Sequence, residues 1–157
     1  MRIIRERRES DMTTGPLRDG WSAVHPEVAE GLTARFDGDI GNVTDARLAA
    51  GLFLDTLAYA DPPMTPESHD DVLLVVTELA ANTVQYAPGP FTLRVRRTFD
   101  GVHVAVRDSN PVPPAPQPCR PGQGAGGLGW HIVHALAREV SVLPERGGKE
   151  IHAFLPW

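Results

Sequence analysis

Glu78-Leu79-Ala80-Ala81-Asn82 is followed about forty residues later by Gly122-Gln123-Gly124-Ala125-Gly126-Gly127-Leu128-Gly129, and the reading of the chain turns on these two stretches. Val72, Val75, Val76 and Leu79 recur at helical spacing. At about 100° per residue, Glu78 and Asn82 share one side of that helix, within roughly 60° of Val75 and at the edge of the apolar stripe. The glycines let backbone amides approach an anion closely, and a helix starting there adds the positive end of its dipole. A carboxylate, an amide and an anion cradle together suggest a nucleotide site. Each feature has a plainer reading: glycine-rich segments also serve as flexible lids, and polar residues commonly flank a core stripe.

Working outward, Thr65-Pro66-Glu67 supplies a cap, a first-turn proline and an acid suited to the helix dipole at the start of the same helix. The preceding helix has Asn42 or Thr44 as cap, apolar positions at Ala46, Ala49, Ala50, Phe53, Leu54 and Leu57, and an end near Asp61-Pro62-Pro63. A short strand is expected over 28–36. After Pro88-Gly89-Pro90 the period changes to two: Phe91, Leu93 and Val95, then Val102, Val104 and Val106, flank Asp100-Gly101 as a hairpin with one wet face. Asp108 closes the second strand, where it could accept a hydrogen bond from an adenine amino group or simply initiate the turn Asp-Ser-Asn-Pro. A proline- and glycine-rich stretch over 110–126 has the length of a lid. A third helix over 128–138 places Leu128, Ile132, Ala135 and Leu136 on one side, and 140–143 and 151–155 form a last hairpin. The expected fold is α/β in content, an α+β two-layer sandwich whose mixed, mostly antiparallel sheet carries helices on one face.

With 157 residues, 41% of them hydrophobic, the chain can build one good core. Residues 27–157 are expected as that domain and 1–26 as a poorly ordered arm. Fifteen basic against twenty acidic residues give a net charge of -5, and only the run over 2–8 concentrates positive charge. Direct nucleic-acid binding, which calls for a basic face, is therefore not expected. Cys119 is alone, so neither an internal disulfide nor a cysteine metal cluster is available. His131 and His134 have a metal-compatible spacing but no third ligand, and read as surface or helix-edge residues. No signal peptide or apolar run of about 18 residues is present, so the expected setting is cytoplasmic, with no membrane contact.

The order of these motifs resembles the GHKL ATP-binding (Bergerat) fold shared by histidine kinases, type II topoisomerases and certain heat-shock chaperones. The resemblance runs from about Asn42 to Trp157. The short single domain, the run Gly127-Leu128-Gly129-Trp130-His131-Ile132-Val133-His134-Ala135-Leu136-Ala137 and Gly147-Gly148-Lys149 look like bacterial anti-sigma-factor serine/threonine kinases of the partner-switching type, in particular the actinobacterial branch. The resemblance implies Glu78 as catalytic base, Asn82 as Mg²⁺ ligand and Asp108 on adenine. Gly124, Gly126, Gly127 and Gly129 would cradle phosphate, and Leu128 would help cover the ATP. It also implies a sigma factor and a STAS-type anti-anti-sigma protein as partners, and a homodimer. Four positions, Asn110, Val112, Ala125 and Glu150, depart from the family pattern. Asp-x-Gly-x-Gly appears as Asp108-Ser109-Asn110-Pro111-Val112, so the adenine wall must be built differently, and Ala125 stands where the second glycine box usually begins with glycine. Glu150 replaces a threonine common after Gly-Gly-Lys, which is expected to bring a carboxylate near the base.

Overall fold

The computed structural model describes residues 2–5, 31–114 and 127–157. In chain order the elements are β1 (Arg2–Arg5), β2 (Gly31–Phe36), α1 (Asn42–Ala60), α2 (Pro66–Tyr86), β3 (Phe91–Arg97), β4 (Gly101–Asp108), α3 (Leu128–Leu136), β5 (Glu139–Glu145) and β6 (Gly148–Pro156). The strands form a six-stranded sheet in the order β1-β2-β3-β4-β6-β5. Every pairing in it is antiparallel, so the expected mixed character is absent among the described residues.

The period-two alternation sends Leu93 and Val95 of β3, Val104 and Val106 of β4, and Ile151, Ala153 and Leu155 of β6 to one face. There they meet Leu54 and Leu57 of α1 and Val72, Val75, Val76 and Leu79 of α2, all buried. Pro66 opens α2 at a position where its missing N–H is no loss. Asn42 does not cap α1, which begins at that residue. Its Oδ1 accepts from the backbone N–H groups of Gly38 and Asp39 at 3.0 and 2.9 Å and so fixes the turn ahead of the helix. At the C-terminus, Trp157 is buried and donates its indole N–H to the Asp61 carbonyl at 2.7 Å, tying the last residue to the turn between α1 and α2.

Arg2–Arg5 departs from the expected arm. It pairs with β2 from Arg2↔Arg35 to Arg5↔Leu32, using backbone groups that the edge of β2 would otherwise leave open. Residues 6–30, the rest of that stretch, lie outside the described residues, as do 115–126 of the expected lid and Cys119. The helix α3 also turns differently from expectation: Gly129 and Val133 are buried, Trp130 and Leu136 pack partly against the core, and Leu128 and Ala135 are exposed. The Gly129–Val133 spacing lets the helix lie close against α2, which a stripe led by Leu128 would prevent.

The helix-free face of the sheet is a charged network rather than simply wet. Glu150, buried, bonds to Arg94. His103 Nε2 and His152 Nδ1 lie 3.0 Å apart, and the His103 ring stacks on Phe154 at 4.4 Å. One imidazole nitrogen of that contact must donate and the other accept, so the pair cannot be doubly protonated without breaking it. Burial, reinforced by the charges of His152 and Arg94, holds His103 below the ordinary histidine value. The folded state therefore resists a proton that the unfolded chain accepts, and this contribution to stability is present above about pH 6.5 and fades as pH falls below it. Chemical denaturation is expected to show a lower midpoint at about pH 5.5 than at about pH 7.5, a gap that His103→Phe narrows.

Candidate functional site

Four elements converge on one cavity of about 220 Å³, lined by Asn82 and Tyr86 from α2, Asp108 at the end of β4, Lys149 and Ile151 from β6, and Gly127 and Trp130 around the start of α3. Asn110, Val112, Pro113 and Pro114 close one side. Polar groups are few and convergent and the remaining walls are apolar or aromatic, the composition of a small-molecule site.

Asp108 and Lys149 meet at the floor. They are directly paired in the β4–β6 ladder, and their side chains are only 2% and 5% exposed. The Lys149 ammonium donates to Asp108 Oδ1 and Oδ2 at 3.0 and 2.9 Å and to the Asn110 carbonyl at 2.9 Å. Two glycines make this possible. Gly147 takes φ 81° in the tight turn between β5 and β6, a conformation that favours glycine. A Cβ on Gly148 would fall on the Asp108 carbonyl, so only glycine allows β6 to start hard against the end of β4.

The loop that follows β4 is held by Asn110, at the position where the resembled pattern has glycine. The Asn110 N–H donates to Asp108 Oδ1 at 2.9 Å and the Val112 N–H to Asn110 Oδ1 at 3.0 Å, two consecutive side-chain turns. Asn110 Nδ2 donates to the Tyr86 carbonyl at 2.8 Å, fastening the loop to the last turn of α2. Glu150 does not line the cavity, contrary to the expectation that its carboxylate would stand near a base. Period two puts it on the opposite face of the sheet with Arg94, and the inward position belongs to Lys149.

At the other end, Gly127 precedes α3 with φ 108°, again a conformation that favours glycine, and no side chain caps the helix among the described residues. Its first-turn amides are the ones available to an anion. A Cβ on Gly129 would fall on Glu78 Oε2, so the carboxylate of α2 lies against the first turn of α3 and depends on that glycine for space. Glu78 lies at the α3 entry and Asn82 in the cavity wall. Leu128 is 45% exposed, while Gly124 and Gly126 lie outside the described residues. His134 is exposed and edge-packed on Trp130 at 4.8 Å, as expected of a helix-edge residue. Sequence reasoning missed Tyr86, Asn110 and Trp130 as lining residues and the inward ammonium of Lys149.

The Asn82 side chain makes no hydrogen bond within the described residues and lines the cavity beside Gly127 and Asp108. Among the same residues no three His, Cys, Asp or Glu side chains converge on one point. One amide oxygen suits Mg²⁺ carried in with phosphates, because that ion takes one or two protein oxygens and keeps phosphate and water ligands.

The profile of the histidine kinase-like ATPase domain matches residues 42–154. The chain belongs to that family, whose domains bind ATP, usually with Mg²⁺. A solved structure similar to it is the histidine kinase domain of the blue-light activated histidine kinase from Erythrobacter litoralis EL346. That domain is 17% identical, with a TM-score of 0.43 over 71% of this chain and 60% of the other. Comparison with curated proteins gave no match. No described helix is long and apolar enough to cross a membrane.

Gly129→Ala tests the seat of Glu78. Stability is expected to change little, since alanine's advantage of about 1 kcal/mol in a helix offsets the crowding. If Glu78 is the catalytic base, nucleotide turnover is expected to fall about 100-fold, because the carboxylate must move. Denaturant titration and a turnover assay on the same preparation check both.

Proposed function

We propose that this protein is an ATP- and Mg²⁺-dependent serine/threonine protein kinase that doubles as an anti-sigma regulatory factor, phosphorylating a STAS-type anti-anti-sigma protein and otherwise sequestering a sigma factor. The observation that carries the catalytic part is the placement of Glu78 and Asn82 on α2 between the α3 entry and the Asp108 pocket. Family membership supports ATP as the nucleotide. The narrower regulatory reading rests on the sequence resemblance given above. Work on partners in the cytoplasm, as a homodimer, belongs to the same proposal.

In this reading the base sits among Tyr86, Asp108, Val112 and Ile151, and the phosphates reach toward the amides of Gly127 to Gly129. Mg²⁺ held by Asn82 would supply charge neutralisation between the phosphates. The partner's serine oxygen attacks the γ-phosphorus in line, and the bond from that phosphorus to the β,γ-bridging oxygen breaks. ADP leaves, and the serine proton passes to Glu78. The amides at the α3 entry face the charge that develops on the transferred group.

One observation favours a second reading, a GHKL-like binding regulator with little or no turnover. Asp108, the residue expected to receive the base, is already engaged by Lys149 and the Asn110 N–H. Calorimetry with ATP and Mg²⁺ separates the two: micromolar binding that Asn82→Ala abolishes favours the kinase, and no binding favours the regulator. With a cognate serine-bearing partner, Glu78→Gln is expected to lower phosphate transfer by at least about 100-fold while leaving partner binding intact. Transfer that survives this substitution removes Glu78 from the mechanism.

A further inference from the structure

We propose that a second cavity, on the helix-free face of the sheet, binds a phosphate monoester between Arg35 and Arg107. The assignment goes beyond the nucleotide reading and does not rest on it.

Where β2 ends and β3 begins, a cavity of about 600 Å³ opens beside the end of β4. That is within the range of roughly 300–1,000 Å³ usual for small-molecule sites. Arg35, Thr92 and Arg107 line it side by side, Arg35 paired with Thr92 in the β2–β3 ladder and Thr92 with Arg107 in the β3–β4 ladder. Cross-strand partners share a face, and the buried neighbours Phe36, Phe91 and Val106 point the other way, into the core. Two strand spacings set the arginine backbones roughly 10 Å apart, a gap that two such long side chains can close on one anion. The threonine hydroxyl stands between them.

A census of hydrogen-bonding groups gives the sign of the ligand. Arg35 is exposed and makes no hydrogen bond or ion pair within the described residues, and neither do the hydroxyls of Thr92 and Ser109, which also line the cavity. Arg107 gives its Nε–H to Glu145 at 2.7 Å, and its two terminal nitrogens carry four further N–H groups. Carboxylates are few by comparison. Asp108 borders the cavity but is neutralised by Lys149, and Glu145 is neutralised by Arg107, which leaves Asp37. In a chain of net charge -5 this concentration of donors is local.

A carboxylate offers two oxygens and one charge to such a set. A phosphate monoester offers three free oxygens and nearly two charges at neutral pH, which suits two guanidinium forks with a hydroxyl between them. Asp37 refines the choice: it repels a bare anion but accepts from an N–H or O–H. It therefore favours a phosphate whose ester body brings such a donor, and the volume leaves room for that body.

Calorimetric titration of the full chain tests the assignment. The probes are a short capped peptide carrying one phosphoserine, its serine and glutamate counterparts, glucose 6-phosphate, glucose and inorganic phosphate. At least one of the two esters is expected to bind at least about tenfold more tightly than its unphosphorylated counterpart, the glutamate peptide and inorganic phosphate. The tighter of the two esters identifies the source as peptide or sugar. Arg35→Gln removes no contact within the described residues and is expected to weaken the ester about tenfold. Arg107→Lys, which keeps a cation for Glu145 but loses the fork, is expected to weaken it as well, whereas Arg138→Gln at the opposite end of the sheet leaves it unchanged. Thermal unfolding checks that each variant is native. An ester that binds no better than its unphosphorylated counterpart overturns the proposal, as does inorganic phosphate or the glutamate peptide binding equally well. Affinity that survives Arg35→Gln places the anion elsewhere, and an equal loss in Arg138→Gln marks general charge attraction, so either result also overturns it.

Discussion

The contact between Lys149 and Asp108 is the constraint around which the site is built. Two opposite charges almost stripped of water are costly to desolvate, and such pairs seldom add net stability over an apolar substitute. What the pair supplies is placement. If one member is removed, the other stays buried without a counter-charge, a loss of roughly 3–5 kcal/mol, so alternative alignments of β4 and β6 that separate them are strongly disfavoured. The same ammonium reaches the Asn110 carbonyl, and Asn110 reaches the last turn of α2. A single buried cation thereby fixes the end of one strand, the start of another and the root of the loop that leaves them.

The rest of the architecture delivers residues to that point from separate directions. Buried valines and Leu79 hold α2 on the sheet, which leaves Glu78 and Asn82 at the margin of the core where they are half-buried rather than hidden or free. Gly129 lets α3 close on α2 and gives the Glu78 carboxylate its space. Gly148 does the equivalent at the other end, letting β6 close on Asp108. Two glycines without unusual backbone angles therefore matter for the atoms they omit, and each sits beside a carboxylate predicted to act.

Most of the fold was legible because its signals are periodic and local. Val72, Val75, Val76 and Leu79 repeat at helical spacing, and Phe91, Leu93 and Val95 of β3 and Val102, Val104 and Val106 of β4 repeat at period two, so these elements and their inward faces follow from counting. The edge strand was not legible: Arg2–Arg5 is short, carries arginine at both ends and owes its structure to the open backbone of β2. The inward face of α3 was misread because glycine contributes nothing to an apolar pattern, yet Gly129 is what allows contact. In the site, Asn82 and Asp108 line one cavity, and Glu78, one turn before Asn82 on α2, lies against the first turn of α3.

Lys149 and Glu150 expose the deeper reason that site chemistry is harder to read than fold. Residue type alone makes the acid the one to watch, since a carboxylate near a base would compete for hydrogen bonds. Alternation decides otherwise: Lys149 is in phase with Ile151, Ala153 and Leu155, which are buried on the helix side, whereas Glu150 is in phase with His152 and Phe154 on the far side. A lysine in the phase of core residues is a demand for a buried acid nearby, and the ladder partner of Lys149 is Asp108. Strand phase thus turns Lys149, and not Glu150, into the cavity wall beside Asp108.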